Sequence, residues 1–418
     1  MTSYKVMMLA YHTDPSAIYG KETGGMNVYV LELSKALSRQ GHIVDIFTRK
    51  VDPKHEIIQI THNVRLIPIT AGPQAVISKN KLPLYINDFV RGIKKFMRSE
   101  SLYYDLIHGH YYLSGLVGMS INRVLPQAPL VMTFHTLGMM KNLVARHFME
   151  KETQYRIETE GILIKRANHI IALSDKDREY IQFLYSGSEQ KVSVISPGVD
   201  SKIFRPIDKI IAKQAIGANV DHKLILYVGR IEPLKGIDSL FYALKILFVK
   251  NPKLKKKVCL WIVGGDISQK KSLWSQEMKK LEKLRHFLGL QTQIVFVGQK
   301  PQQQLPFYYN ASEMLVMPSH YETFGIVALE ALSCGIPVIS THVSGVSRLA
   351  EDSDDLHIIP ANSPVDLADQ IARILINSLK NRSLKNILIK QAKHTSWDCI
   401  AKQVLAVYTS LFQKRSLN

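Results

Sequence analysis

Short apolar runs of the kind that fill buried parallel strands alternate along this chain with stretches whose apolar residues recur at helical spacing. Lys5–Ala10, Ile43–Thr48, Val64–Ile69, Leu106–His110, Leu130–Phe134, His169–Leu173 and Val192–Ile195 read as strands, and Asn27–Arg39 and Leu84–Arg98 as helices among them. The turn-rich Ser196-Pro-Gly-Val-Asp200 and Arg205-Pro206 then interrupt the pattern. A second series places strands at Leu224–Gly229, Val258–Val263, Ile294–Val297, Met314–Met317 and Pro337–Ser340. Its helices are Ser239–Val249, Ser275–Phe287, Val327–Leu332 and Asp366–Leu379. Alternation of this kind predicts an α/β fold of two doubly wound domains, each a parallel sheet with helices on both faces. The expected spans are 1–198 and 199–395. Residues 396–418 are left as a helix whose apolar spacing from Trp397 to Phe412 suits packing across the junction.

Open parallel sheets bind ligands at the carboxyl ends of their strands, so residues just past each strand are the candidates. In the first half these are His12, Gly24-Gly25, His110-Tyr111, His135-Thr136 and Ser174. In the second they are Arg230, Lys235, Gly264-Gly265, Gly298-Gln299 and Ser319-His320-Tyr321-Glu322. Two such edges facing each other would form an interdomain cleft.

Glu322-Thr-Phe-Gly-Ile-Val-Ala-Leu-Glu330 follows a strand and opens a helix, so its first amides point at an anion. Read as one helix face, its two carboxylates could grip the hydroxyls of one polyol, although two solvated acids fit the spacing alone better. Gly24-Gly25-Met26-Asn27 would let a phosphate approach a helix N-terminus, or is simply a sharp turn. Arg230 and Lys235 share one loop and could hold a diphosphate, or be solvated surface charges. No dinucleotide fingerprint or Walker spacing occurs.

Composition narrows the partners. The chain has 418 residues, 46% of them hydrophobic, and 54 basic against 35 acidic side chains give a net charge of +19, which favours anionic ligands. The three widely spaced cysteines form no disulfide framework or zinc motif, and no apolar run reaches membrane-spanning length, so a cytoplasmic protein is expected. His108-Gly-His110 invites a metal reading but lacks a third ligand at a useful spacing. Asp175-Lys-Asp177 and Asp352-Ser-Asp354 read as caps or turns. The basic stretch 250–257 and the helix after it read as a solvated face rather than a membrane contact.

Taken together, Gly24–Val30, His108–Gly115, Phe134–Leu137, Gly229–Gly236 and the Glu322–Glu330 segment resemble, in order and over nearly the whole chain, the retaining glycosyltransferases of family four, which have the GT-B fold of two Rossmann-like domains. Within that family the chain is similar to the inositol-3-phosphate N-acetylglucosaminyltransferases of mycothiol synthesis, with sucrose-phosphate synthases as cousins. The resemblance implies transfer of a hexosyl or N-acetylhexosaminyl group from a nucleotide sugar, expected to be a UDP-sugar, to a small phosphorylated polyol or sugar. Catalytic roles then fall to Arg230, Lys235, His135 and Glu322. The donor would be held by Gly25, Val297, Gln299, Phe324, Gly325, Ile326 and Glu330, and the acceptor by His12, Asn27, Lys79, Tyr111, Thr136 and Arg156. No cofactor or obligatory metal is implied, nor a general base, because the leaving diphosphate helps deprotonate the acceptor. Nucleic acid is not an expected partner and a membrane surface is not the favoured one, while an oligomer is compatible with the sequence. The competing readings are transfer to a lipid or glycan at a membrane surface and a nucleotide-sugar epimerase of the same fold.

Overall fold

Burial on both faces selects the strands. In the computed structural model, which describes residues 3–16, 24–341, 356–377 and 395–416, β1 (Lys5–Leu9) and β5 (Leu106–His110) are almost wholly enclosed. They form the centre of an eight-stranded sheet ordered β3-β4-β2-β1-β5-β6-β7-β8, with β2 (Ile43–Arg49), β3 (Ile58–Thr61), β4 (Val64–Ile69), β6 (Leu130–Thr133), β7 (His169–Ala172) and β8 (Val192–Val194). All neighbours are parallel except the edge pair β3–β4, and Met8 lies opposite His108 across β1–β5. The helices are α1 (Gly25–Arg39), α2 (Ile86–Ser99), α3 (Tyr111–Asn122), α4 (Gly138–Val144), α5 (Gln154–Arg166) and α6 (Asp175–Tyr185).

The chain passes into a second unit between Pro197 and Gly198. There, after α7 (Lys209–Ala215), a six-stranded parallel sheet is ordered β11-β10-β9-β12-β13-β14. Its strands are β9 (Lys223–Val228), β10 (Val258–Val263), β11 (Ile294–Gly298), β12 (Met314–Met317), β13 (Val338–Thr341) and β14 (Leu356–Ile359). Helices α8 (Ile237–Lys250), α9 (Gln276–Phe287), α10 (Leu305–Ala311), α11 (Ile326–Ser333) and α12 (Pro364–Asn377) accompany it. One core joins Leu240, Phe241 and Leu244 of α8 to Leu260 and Ile262 of β10 and Ile371 of α12.

The chain then returns to the first unit through α13 (Trp397–Ser416), which packs along α1. Trp397 meets Tyr29 edge-on at 5.4 Å, Phe412 stacks on Tyr4 at 5.0 Å, and Arg39 pairs with Asp398 at 2.7 Å. Asp175 and Asp177 lie in the first turn of α6, where the Ser174 hydroxyl accepts from the Asp177 amide at 3.1 Å. Asp352 and Asp354 lie outside the described residues.

Candidate active site

In the second unit, the loop leaving β9 carries Arg230 and Lys235, and Gly236 fixes its close. Gly236 has φ +62°, and a Cβ there would stand 2.1 Å from the Pro318 carbonyl oxygen, so only glycine lets this loop approach the segment after β12. That approach sets Lys235 Nζ 2.5 Å from Glu322 Oε2. Arg230 pairs with Glu232 at 2.9 Å, while its carbonyl accepts from the Tyr227 hydroxyl, also at 2.9 Å. Both cations thus have carboxylate partners for which a diphosphate would compete.

The Glu322–Glu330 segment departs from the expected geometry. Gly325 caps α11 at φ +81°, so the helix starts at Ile326 and Glu322 lies in the loop ahead of it. The left-handed turn at Gly325 takes the chain off the helical path, and the two carboxylates do not share a helix face. Glu322 turns to Lys235. Glu330 is 3% exposed, accepting from the Tyr309 hydroxyl at 2.6 Å and facing Gln302 Nε2 at 3.5 Å. Burial raises the Glu330 pKa to about 7, with the Tyr309 and Gln302 hydrogen bonds pulling it back. Phe324 is buried beside this turn, and Ile326 supplies the first helical amide.

At the end of β11, the Gln299 amide donates to the Gly265 carbonyl at 3.0 Å, and the Gly298 carbonyl accepts from Gly264 at 2.9 Å. These groups, expected with Val297 to meet a base edge, already close the turn between two strands. Val297 and Gln299 are both half-buried.

In the first unit, two residues at strand ends have left-handed backbones: Tyr111 at φ +74° and His135 at φ +62°. Such conformations cost of order 1–3 kcal/mol for residues with side chains and gather at functional sites. Around the Tyr111 ring stand His12 at 4.3 Å, the Arg156 guanidinium at 4.8 Å and Lys79 Nζ at 5.7 Å. Arg156 Nη2 donates to the Thr136 carbonyl at 2.9 Å and to Thr136 Oγ1 at 3.0 Å. Five of the six expected acceptor residues thus share one neighbourhood. The sixth, Asn27, is buried on α1, donating to the Asp14 carbonyl and accepting from Thr13, the neighbour of His12. Gly25 is the exposed first residue of α1.

Arg156, which the resemblance implies holds the acceptor, is itself enclosed and paired. It is 1% exposed, with Glu160 at 2.7 Å and Glu152 at 2.8 Å. Burial works against its charge, but Tyr111, Glu160 and Glu152 outweigh that and raise its pKa. Its direct work is to hold the Thr136 loop, leaving the Thr136 hydroxyl hydrogen to point elsewhere.

His108 and His110 are also committed. His108 meets the Tyr408 hydroxyl of α13 at 2.7 Å and Thr133 at 2.9 Å, while His110 Nδ1 meets His135 Nε2 at 2.9 Å. Among the described residues, no group of three His, Cys, Asp or Glu side chains is arranged to hold a metal ion. Sequence reasoning missed Tyr309, Gln302, Glu152 and Glu160. Helical spacing signals only the last two, at i−4 and i+4 from Arg156.

Residues 23–202 match the family described as Glycosyltransferase Family 4, and residues 208–395 that described as Glycosyl transferases group 1. A D-inositol 3-phosphate glycosyltransferase of Kribbella flavida is 32% identical over 410 residues, covering 97% of this chain and 95% of its own. One from Corynebacterium glutamicum is 31% identical over 422 residues, covering 99% and 98%. Among solved structures, the sucrose-phosphate synthase of Thermosynechococcus elongatus superposes with a TM-score of 0.87 at 30% identity, covering 98% of this chain and all of that one. Anabaena HepE in complex with UDP and glucose, at 19% identity and a TM-score of 0.74, shares the fold. With likeness running from end to end and both halves matched, the chain belongs to the family 4 glycosyltransferases of GT-B fold.

Proposed function

We propose that this glycosyltransferase moves a hexosyl or N-acetylhexosaminyl group, with retention, from a UDP-sugar to a small phosphorylated polyol or sugar. The observation that carries the acceptor class is the gathering of Lys79, His12 and Arg156 around Tyr111, with the Thr136 hydroxyl held by Arg156. A cation and a hydroxyl donor near one another suit a phosphate monoester. Relatives named for inositol 3-phosphate, together with a sucrose-phosphate synthase of similar structure, support the same class. On the donor side, Arg230 and Lys235 would neutralise the diphosphate as the glycosidic bond breaks, with Gly25 beside it. Glu322 would take sugar hydroxyls and Glu330 those of the ribose.

The chemistry is then electrostatic preorganisation and positioning, with the departing diphosphate taking the acceptor proton on the face it leaves. No step requires a protein carboxylate as base. Cys259, Cys334 and Cys399, present as thiols, fit a reducing cytoplasm.

A screen of UDP- and GDP-sugars against inositol phosphate, hexose phosphates and their unphosphorylated parents, read by mass spectrometry, tests the reading. Product is expected only with a UDP-sugar and a phosphorylated acceptor. Conversion of UDP-sugar with no acceptor present would support the epimerase reading, and equal transfer to unphosphorylated acceptors would remove the phosphate clamp.

A further inference from the structure

His135 follows β6 with its strained backbone, and its ring is held by a neighbour on β5. His110 Nδ1 lies 2.9 Å from His135 Nε2, and on the opposite side of its ring His110 Nε2 lies 2.7 Å from Met8 Sδ. Tyr29 packs edge-on against His135 at 5.1 Å, fixing the ring plane. The contacts with His110 and Tyr29 hold this imidazole in one orientation.

The proton positions follow from the partners. Burial lowers the His135 pKa to about 3 and that of His110 well below the ordinary value, so near neutrality each ring carries one proton. A thioether sulfur has lone pairs and no hydrogen, so the nitrogen facing it bears the N–H. His110 therefore carries its proton on Nε2, toward Met8, and presents a lone pair at Nδ1. His135 must fill that lone pair with its own Nε2–H. Its remaining nitrogen, Nδ1, is then an acceptor.

We propose that Met8 and His110 are positioning residues that fix His135 as the Nε2–H tautomer, so that its Nδ1 accepts a hydrogen bond from a hydroxyl of the transferring sugar. This rests on the transferase reading above. Nothing in a sequence marks it, because Met8 and His110 meet only through the register of β1 and β5. Their roles are to supply, one after the other, a sulfur that accepts the His110 Nε2–H and a nitrogen that accepts the His135 Nε2–H.

The test has two readouts. Long-range proton–nitrogen correlation spectra of ¹⁵N-histidine-labelled, ligand-free protein at neutral pH should show both His110 and His135 protonated at Nε2. Met8→Leu, which conserves volume, should give His110 and His135 mixed tautomers. Calorimetry with UDP, UDP-glucose and UDP-N-acetylglucosamine supplies the second readout. In His110→Leu, the better-binding sugar nucleotide should lose about tenfold in affinity, the scale of one hydrogen bond, while UDP is unchanged. His110→Asn, which keeps an acceptor near the Nδ1 position, should recover most of that loss. A His135 proton on Nδ1, or equal losses for UDP and its sugar conjugate, would overturn the proposal. A wild-type protein that binds no UDP would sink the transferase reading instead, and the nitrogen spectrum would still decide the tautomer.

Discussion

Glu330 is a carboxylate whose burial works against its charge, and this has two measurable consequences. With its folded pKa raised to about 7, the folded state holds a proton that the unfolded state has released above the ordinary carboxylate range. Stability from this group is therefore greatest below that range and falls as pH rises through about 7, by about 3 kcal/mol in all. The stability difference between wild type and Glu330→Gln, measured by urea unfolding, should shift against the wild type between pH 4.5 and 8; a pH-independent difference would contradict the assigned environment. If the ionised form takes the ribose hydroxyls, UDP affinity should tighten over the same interval in wild type and not in Glu330→Gln. Arg230 is the opposite kind of residue. Its side chain is one-third exposed and its pair with Glu232 is of the weak surface kind, so Arg230→Ala should change unfolding free energy by less than about 1 kcal/mol. Turnover should fall by about 10²-fold, the scale of one lost transition-state charge contact. Near-wild-type turnover would remove Arg230 from the donor site.

Elements were legible where one period dominates. The strands from Lys5 to Val194 and from Lys223 to Thr341 that carry apolar runs fall where the pattern puts them. The edge strand β3 was missed because it is short and none of its residues is buried, leaving no buried run to see. Helix α3 was missed for the reverse reason: it is apolar nearly all round, so no polar face marks its period, and it starts at a left-handed Tyr111 that no propensity announces. The residues after each strand could be named from topology alone, which is why so many site candidates meet. What they bond to depends on loop closures such as those at Gly236 and Gly325. Helix α13 supplies the Tyr408 hydroxyl to a fully enclosed His108. Tyr408→Phe should therefore destabilise the protein by about 1–3 kcal/mol, the cost of leaving one buried polar atom unpaired. A shift in the urea midpoint too small to resolve would contradict that contact.

At the scale of the whole molecule, a net charge of +19 surrounds substrates that are anions on both the donor and acceptor sides of the proposed reaction. A field of that sign should steer phosphorylated acceptors more than neutral ones, and salt should screen the difference over a Debye length of roughly 10 Å. As ionic strength rises from 25 to 300 mM in such assays, kcat/KM for a phosphorylated acceptor should fall more steeply than for its unphosphorylated parent. Lys79→Ala should flatten the steeper curve and leave the other in place. Parallel curves in wild type would assign the charge to some other partner.

The return of the chain to its first unit has a bearing on how the protein is made. About 200 residues separate the exit at Pro197 from the re-entry at Trp397. At ribosomal speeds of about 5–20 residues per second, the first sheet waits tens of seconds for its last helix. During that interval the α1 surface that Trp397 will cover stays open, and His108 lacks its tyrosine. The second unit can complete its sheet before the first has its closing helix, so the half made first is the half finished last.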